Sequence, residues 1–116
     1  MMLTGTLPFP KVRKSGDLYF VSGEVPITAE DTTPAGIEAQ THLVFSKIAG
    51  SLKEYNLTLD DAVSVNVYLT DKKDFKAFNE AYVKHFNAPY PARTTVCVEL
   101  LVDVLLEINL IASAVK

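Results

Sequence analysis

Cysteine and histidine, the residues on which disulfides and most transition-metal sites depend, are scarce in this chain. Its 116 residues include one cysteine, Cys97, and two histidines, His42 and His85. A single cysteine cannot form an intrachain disulfide, and no cluster with metal-ligand spacing is present, so we expect no metal centre. Phosphate-binding loops and dinucleotide fingerprints are also missing, and no cofactor is predicted.

The chain also lacks excess positive charge and long apolar runs. Eleven Lys and Arg against fourteen Asp and Glu give a net charge of -3, which argues against binding to nucleic acid or to an anionic membrane. No apolar run approaches the roughly 18 residues of a membrane span, and the first residues do not resemble a signal peptide. We therefore expect a cytoplasmic protein that does not bind membranes.

What remains is a balanced globular composition. Hydrophobic residues make up 48% and charged residues 22% of the chain, which is typical of folded domains. No repeat, low-complexity tract or linker-like segment interrupts the sequence. We interpret residues 1–116 as a single domain.

Hydrophobic periodicity predicts seven elements in the order ββαβαββ. A hairpin over 11–22 turns at Ser15-Gly16-Asp17, and a helix over 34–55 begins with Thr33 as N-cap and Pro34 at the first position. Asn56 is expected to end this helix in a left-handed conformation. A strand over 62–69, a second helix and strands over 93–100 and about 104–115 follow; the second helix carries Phe75, Phe78, Tyr82 and Phe86 along one side, with Asp71 or Asp74 as its cap.

The strand patterns predict a sheet with one face buried by the helices. In the last strand Leu106, Ile108, Leu110 and Ala112 alternate with Glu107, Asn109 and Ile111, and in the third strand Val63, Val65, Val67 and Leu69 share one face. Strands connected through helices favour parallel pairing, so the sheet should be mixed. The opposite face is most simply covered by other copies of the chain, and we expect a closed homo-oligomer.

One motif is a candidate functional site because it places an arginine at the start of a strand: Pro91-Ala92-Arg93-Thr94-Thr95-Val96. The planar guanidinium suits bidentate capture of a carboxylate. Taken alone, however, Arg93 is more often a solvated or salt-bridged residue at a strand end. The residues themselves therefore predict an oligomeric α+β domain with a candidate anion site.

Several ordered segments from about Pro8 to the C-terminus resemble the RidA/YjgF family of reactive-intermediate deaminases, whose members are also called endoribonuclease L-PSP or translation inhibitor. The segments are Pro8-Phe9, Gly16 to Pro26 (GDLYFVSGEVP), Val67 to Asp71, Asp74-Phe75 with Asn79, Pro91 to Val96, and Glu107-Ile108. The resemblance implies a chorismate-mutase-like fold that assembles into a barrel-like homotrimer. Clefts for small molecules then lie between neighbouring subunits.

The resemblance also implies a reaction. Family members hydrolyse enamines and imines, such as 2-aminoacrylate and 2-iminopropanoate, to 2-keto acids and ammonia without a cofactor. Arg93 would bind the substrate carboxylate, and the backbone carbonyl near Thr95 would bind its nitrogen. Phe9, Ser22 and Asn79 match family positions that line the cleft, although Asn79 could equally be a structural helix residue.

The sequence departs from the family pattern at Asn109, where the archetypal deaminases carry a glutamate that orients or activates water. An amide can hold water but cannot accept its proton, and loss of a general base typically costs ~10²–10⁴-fold in rate. Phe9 also lacks the hydroxyl of the family tyrosine. A non-catalytic carboxylate-binding trimer is therefore an alternative, and an endoribonuclease or translation inhibitor is a third, disfavoured by the acidic net charge.

Overall fold

The computed structural model describes residues 7–115. Five strands and two α-helices follow one another as predicted: β1 (Val12–Ser15), β2 (Leu18–Glu24), α1 (Ile37–Lys53), β3 (Ala62–Leu69), α2 (Phe75–Tyr82), β4 (Ala92–Cys97) and β5 (Leu106–Ser113). Short 3₁₀ turns at Leu59–Asp61, Lys72–Asp74 and Val83–His85 border β3 and α2. The predicted order ββαβαββ is confirmed.

The strands form one mixed sheet in the order β1-β2-β5-β3-β4. Only β3 and β4, which α2 connects, are parallel among the neighbouring pairs; β5 is antiparallel to both β2 and β3. Since β2 and β3 both run against β5, they run in the same direction, with β5 inserted between them. The mixed sheet expected from the helical connections is therefore present.

Both helices cover one face of the sheet, and the core lies between these two layers. Ile108 and Leu110 of β5 and Val65 of β3 meet Phe45 and Ile48 of α1, all with at most 1% of their surface exposed. The alternation in β5 is as predicted, because Leu106, Ile108, Leu110 and Ala112 are buried. The other face, here called the open face, carries partly exposed Leu18 and Phe20. Within the described residues, no helix is long and apolar enough to cross a membrane.

Helix α1 begins three residues later than predicted. Gly36 precedes it with φ 90°, which a helical residue cannot adopt, and Pro34 instead lies in the lead-in, where its carbonyl accepts a hydrogen bond from Gln40. The helix ends at Lys53, two residues before the predicted 55, but Asn56 is left-handed as predicted, with φ 61°, and the Asn56 and Leu57 amides donate to the carbonyls of Lys53 and Leu52. This pair of bonds is a Schellman motif.

Three further details differ from the periodic pattern. Val63 is 47% exposed rather than buried, because the pairing with β5 shifts between Ala62 and Ser64. Such a bulge reverses the alternation locally. Strand β4 ends at Cys97 instead of residue 100, and β5 spans only Leu106–Ser113 of the predicted 104–115. Of the two predicted caps, Asp71 caps the 3₁₀ turn Lys72–Asp74 that leads into α2 by accepting a hydrogen bond from the Lys73 amide, whereas Asp74, which directly precedes α2, makes no such side-chain bond.

Candidate functional site

Arg93 lies on the helix-covered face of β4, at the edge of the sheet. Its register partner in β3 is the core residue Val65, so the side chain points toward α2. There Arg93 Nη2 donates a 2.8 Å hydrogen bond to Asn79 Oδ1. The structure therefore brings together two of the predicted site residues, Arg93 and Asn79, although helix α2 and strand β4 are separate elements.

Three aromatic rings of α2 surround the Arg93 guanidinium. Its Cζ is 4.6 Å from the ring centre of Tyr82, 5.5 Å from that of Phe78 and 6.0 Å from that of Phe75. These distances are typical of cation–π contacts, which hold the charge without neutralising it. Burial raises the pKa of Tyr82, an effect opposed by the positive charge of Arg93. We call Arg93, Asn79 and the three rings the arginine cradle.

The cradle leaves the guanidinium without an acidic partner. No carboxylate among residues 7–115 forms a salt bridge with Arg93, and its side-chain acceptor is the neutral amide of Asn79. A guanidinium has five N–H donors, and the bond to Asn79 uses one of them. Thr95, two residues along β4, has a buried hydroxyl with no hydrogen-bond partner in the described part of the chain.

Asn109 lies on the opposite, open face of the sheet. It pairs in register with Asn66 of β3, and its neighbours Ile108 and Leu110 point into the core. Its side-chain Oδ1 is buried and has no hydrogen-bond partner among the described residues. Within one chain, therefore, the sheet separates Asn109 from the arginine cradle.

Ser22 and Phe9 lie together, away from the cradle. Ser22 Oγ donates a 2.7 Å hydrogen bond to the Pro10 carbonyl, which fixes the segment that carries Phe9. Phe9 itself is 51% exposed. Of the six residues predicted for the site, one chain brings Arg93, Asn79 and Thr95 to one side of the molecule, and places Ser22, Phe9 and Asn109 elsewhere.

A groove of about 430 Å³ lies on the open face beside Asn109. It is lined by Gly23, Tyr68, Glu107 and Asn109 together with residues 98–101 of the loop after β4. Glu107, which was not among the residues predicted for the site, is the partly buried carboxylate of this groove. Burial, and then the charge of Glu24, raise the pKa of Glu107. The β5 alternation already placed it on the face of Asn109, but its approach to Gly23 depends on the register with β2.

The two histidines meet outside both regions. His42 Nδ1 and His85 Nε2 are 2.7 Å apart, linking α1 to the turn after α2. Burial, and then the charge of His42, lower the pKa of His85. No group of three or more His, Cys, Asp or Glu side chains is arranged to hold a metal ion in residues 7–115.

Comparison with known proteins identifies the family. The family model for endoribonuclease L-PSP matches residues 3–114. A RutC family protein of Saccharolobus solfataricus is 44% identical over 108 residues, which cover 90% of this chain and 86% of that protein. A candidate reactive intermediate deaminase of Escherichia coli, TdcF, is 33% identical over 102 residues, covering 84% of this chain and 79% of TdcF.

Solved structures agree with the sequence comparisons. The crystal structure of RidA from an Antarctic Psychrobacter superposes with a TM-score of 0.87 at 31% identity, covering 95% of this chain and 91% of that one. The crystal structure of E. coli TdcF with bound serine gives a TM-score of 0.85 at 30% identity, with coverages of 94% and 90%. The chain therefore belongs to the endoribonuclease L-PSP family, that is, to the RidA/YjgF family, and has its fold.

Proposed function

We propose that this protein hydrolyses reactive enamines and imines derived from small amino acids, such as 2-aminoacrylate and 2-iminopropanoate, to 2-keto acids and ammonia. The observation that carries the proposal is the arginine cradle: a partly buried guanidinium held by one neutral amide and three rings, with no carboxylate partner in the described residues. A site built in this way favours a ligand carboxylate. The names of relatives, a reactive intermediate deaminase and a TdcF crystal structure with bound serine, support the same class of ligand.

The complete site, in this proposal, forms between two copies of the chain in a homotrimer. Arg93 and Asn109 lie on opposite faces of the sheet, so one chain does not bring them together. The open face carries Leu18, Phe20 and Val96, each about 40% exposed. Burial of such side chains against a second copy is favourable. We expect a mass in solution three times the 12.7 kDa of the chain.

The arginine cradle of one copy and the groove around Asn109 on the open face of the next are called the two half-sites, and each has a distinct task in the reaction. The Arg93 guanidinium binds the substrate carboxylate and thereby fixes the adjacent imine carbon, which makes attack by a held water effectively intramolecular. The backbone carbonyl near Thr95 accepts a hydrogen bond from the substrate nitrogen. Asn109, which lines the groove of the open face, holds the water from the neighbouring copy.

The test is the release of pyruvate and ammonia from 2-aminoacrylate that a pyridoxal-phosphate dehydratase generates from serine. Because 2-aminoacrylate also hydrolyses spontaneously, the rate is measured against a reaction without the protein. We expect turnover by the wild type, and a loss of about 1.5–3 kcal/mol of transition-state binding, roughly 10–150-fold in kcat/KM, in Arg93→Ala. Lys53→Ala is the control for loss of a positive charge, since Lys53 is exposed at the end of α1. Equal losses in both variants would contradict the role of Arg93.

A second candidate function is a binding module that has kept the cradle and lost the chemistry. The specific observation in its favour is Asn109, because an amide at this position cannot accept a proton from water. Calorimetric binding of serine or pyruvate that Arg93→Ala abolishes, together with no turnover, would establish this alternative. Turnover above the spontaneous rate would exclude it.

A further inference from the structure

Glu107 is set in the open-face groove by three neighbours. It is two residues before Asn109 on β5, which places both side chains on the same face, about 6.5–7 Å apart along the strand. Across the strand pair it faces Tyr68. On its other side the carboxyl group lies against Gly23, so closely that a Cβ at that position would overlap Glu107 Oε2. Glycine at position 23 therefore makes room for this carboxyl group.

The carboxyl group of Glu107 forms no salt bridge with a basic side chain of the described residues. Glu24 is the acid whose charge acts on Glu107, and it forms a salt bridge with Lys47, whose Nζ lies 2.9 Å from Glu24 Oε1. Lys47 is further engaged by the carbonyls of Val25 and Ile27 at 2.9 and 2.7 Å. No salt bridge to Glu107 occurs within residues 7–115. The remaining acid of the groove, Glu99, is exposed on the loop after β4.

This environment favours the protonated form of Glu107 to higher pH than for a free glutamate. Burial, and then the charge of Glu24, raise the pKa of Glu107. A carboxyl group whose pKa moves toward neutral pH exchanges protons more efficiently under physiological conditions. Asn109 has no such capacity, whereas Glu107, which lines the same groove, can give and take a proton.

We propose that Glu107 is the catalytic acid and base of the open-face half-site, replacing the proton-transfer capacity that Asn109 lacks. This assignment rests on the proposed function. The enamine 2-aminoacrylate first tautomerises to 2-iminopropanoate, a proton moving from its nitrogen to its methylene carbon as the C=C bond gives way to C=N. The protonated Glu107 gives its proton to the imine nitrogen, and the resulting carboxylate takes a proton from water as the water oxygen bonds to the imine carbon. The C=N π electrons move to nitrogen and form a carbinolamine. A proton then passes from its hydroxyl to nitrogen, the C–N bond breaks, and ammonia and the 2-keto acid leave.

The experiment compares pH profiles of kcat and KM for the wild type, Glu107→Gln and Glu107→Asp, with 2-aminoacrylate generated in situ. Glu107→Gln preserves shape and removes the proton, so we expect kcat to fall ~10²–10⁴-fold with KM little changed, and the ionisation of the catalytic group to vanish from the profile. Glu107→Asp keeps the ionisation and loses rate, because its carboxyl group is set back by one methylene. Glu54→Gln, an exposed acid at the end of α1, is the charge-matched control.

A double variant tests whether the proton function can be moved along the strand. In the Glu107→Gln background, Asn109→Glu restores a carboxylate two residues away, and we expect at least a roughly tenfold recovery of kcat. An active wild type whose Glu107→Gln variant keeps its rate and pH profile would overturn only the assignment of Glu107. A wild type without turnover would overturn the proposed function and this assignment together.

Discussion

Substitutions of Asn79 can change the orientation of the Arg93 guanidinium without removing the arginine. Its Oδ1 accepts the 2.8 Å bond from Arg93 Nη2. Asn79→Ala removes that acceptor but leaves the charge and the rings. Asn79→Asp is nearly isosteric but places a carboxylate against the guanidinium. The aspartate then competes with the substrate for the same donors.

The expected magnitudes differ for the two variants. A hydrogen bond to a charged group contributes about 1.5–3 kcal/mol net. If the carboxylate introduced by Asn79→Asp takes the donors that the substrate carboxylate needs, KM rises by roughly 10–150-fold, since about 1.4 kcal/mol corresponds to a factor of ten. Asn79→Ala loses only the orientation of the guanidinium, and its KM should rise by up to about tenfold. Neither variant should change kcat strongly, because the proton-transfer groups lie elsewhere.

The assay is KM and kcat for 2-aminoacrylate, with affinity for serine by calorimetry as a second readout. Lys84→Gln is the control, because it alters the net charge by the same amount at an exposed position that does not contact Arg93. If Asn79→Asp bound substrate as tightly as the wild type, Arg93 would not be the carboxylate anchor. Equal weakening by Lys84→Gln would instead indicate an effect of net charge.

Three further outcomes follow from single contacts. Gly23→Ala should displace the Glu107 carboxyl group, lowering kcat with little change in thermal stability, since only a flexible side chain must move; an unchanged kcat would contradict the importance of that position. Thr95→Val removes a buried hydroxyl without a partner in the described residues, so the melting temperature should stay constant or rise, and activity should be kept because the proposed substrate contact at this position is the backbone carbonyl; a large drop in melting temperature would show that the hydroxyl is bonded. Burial, and then the charge of His42, lower the folded-state pKa of His85 from 6.5. The contribution of His85 to the free energy of unfolding is therefore fully present above pH 6.5 and is lost as the pH falls through the lower folded-state pKa. Melting temperatures at about pH 8 and about pH 5 should differ less in His85→Gln than in the wild type.

The elements were predictable because their periodicities are strong. Strand β5 shows uninterrupted alternation, and the left-handed Asn56 ends α1 where the sequence indicates. The start of α1 was not predictable from its cap residues, since Thr33-Pro34 is a good start signal and only the backbone of Gly36 overrides it. Likewise, Val63 fits the alternation of its strand and is turned outward by a bulge that depends on the partner strand.

The chemistry of the site was only partly visible in the sequence. Arg93 and Asn79 could each be singled out from motifs, but their hydrogen bond and the support of the guanidinium by Tyr82 and Phe78 arise from the packing of α2 against the edge of β4. Glu107 was recognisable as a polar-face residue of β5. Its closeness to Glu24 follows from the irregular pairing of β2 with β5, which has no signature in either segment alone.

Division of the site between the two faces of the sheet leads to a subunit-mixing test. Arg93→Ala chains lack the anchor and Glu107→Gln chains lack the proton carrier, so each homotrimer should be nearly inactive. If every cleft takes Arg93 from one copy and Glu107 from the next, random mixed trimers contain about one quarter of clefts with both native residues. Co-refolding the two variants should therefore restore up to about a quarter of wild-type activity, which separate refolding followed by mixing should not do. No recovery, in trimers that mass measurement shows to be mixed, would mean that both groups act from the same chain, an arrangement that the opposite orientations of Arg93 and Asn109 oppose.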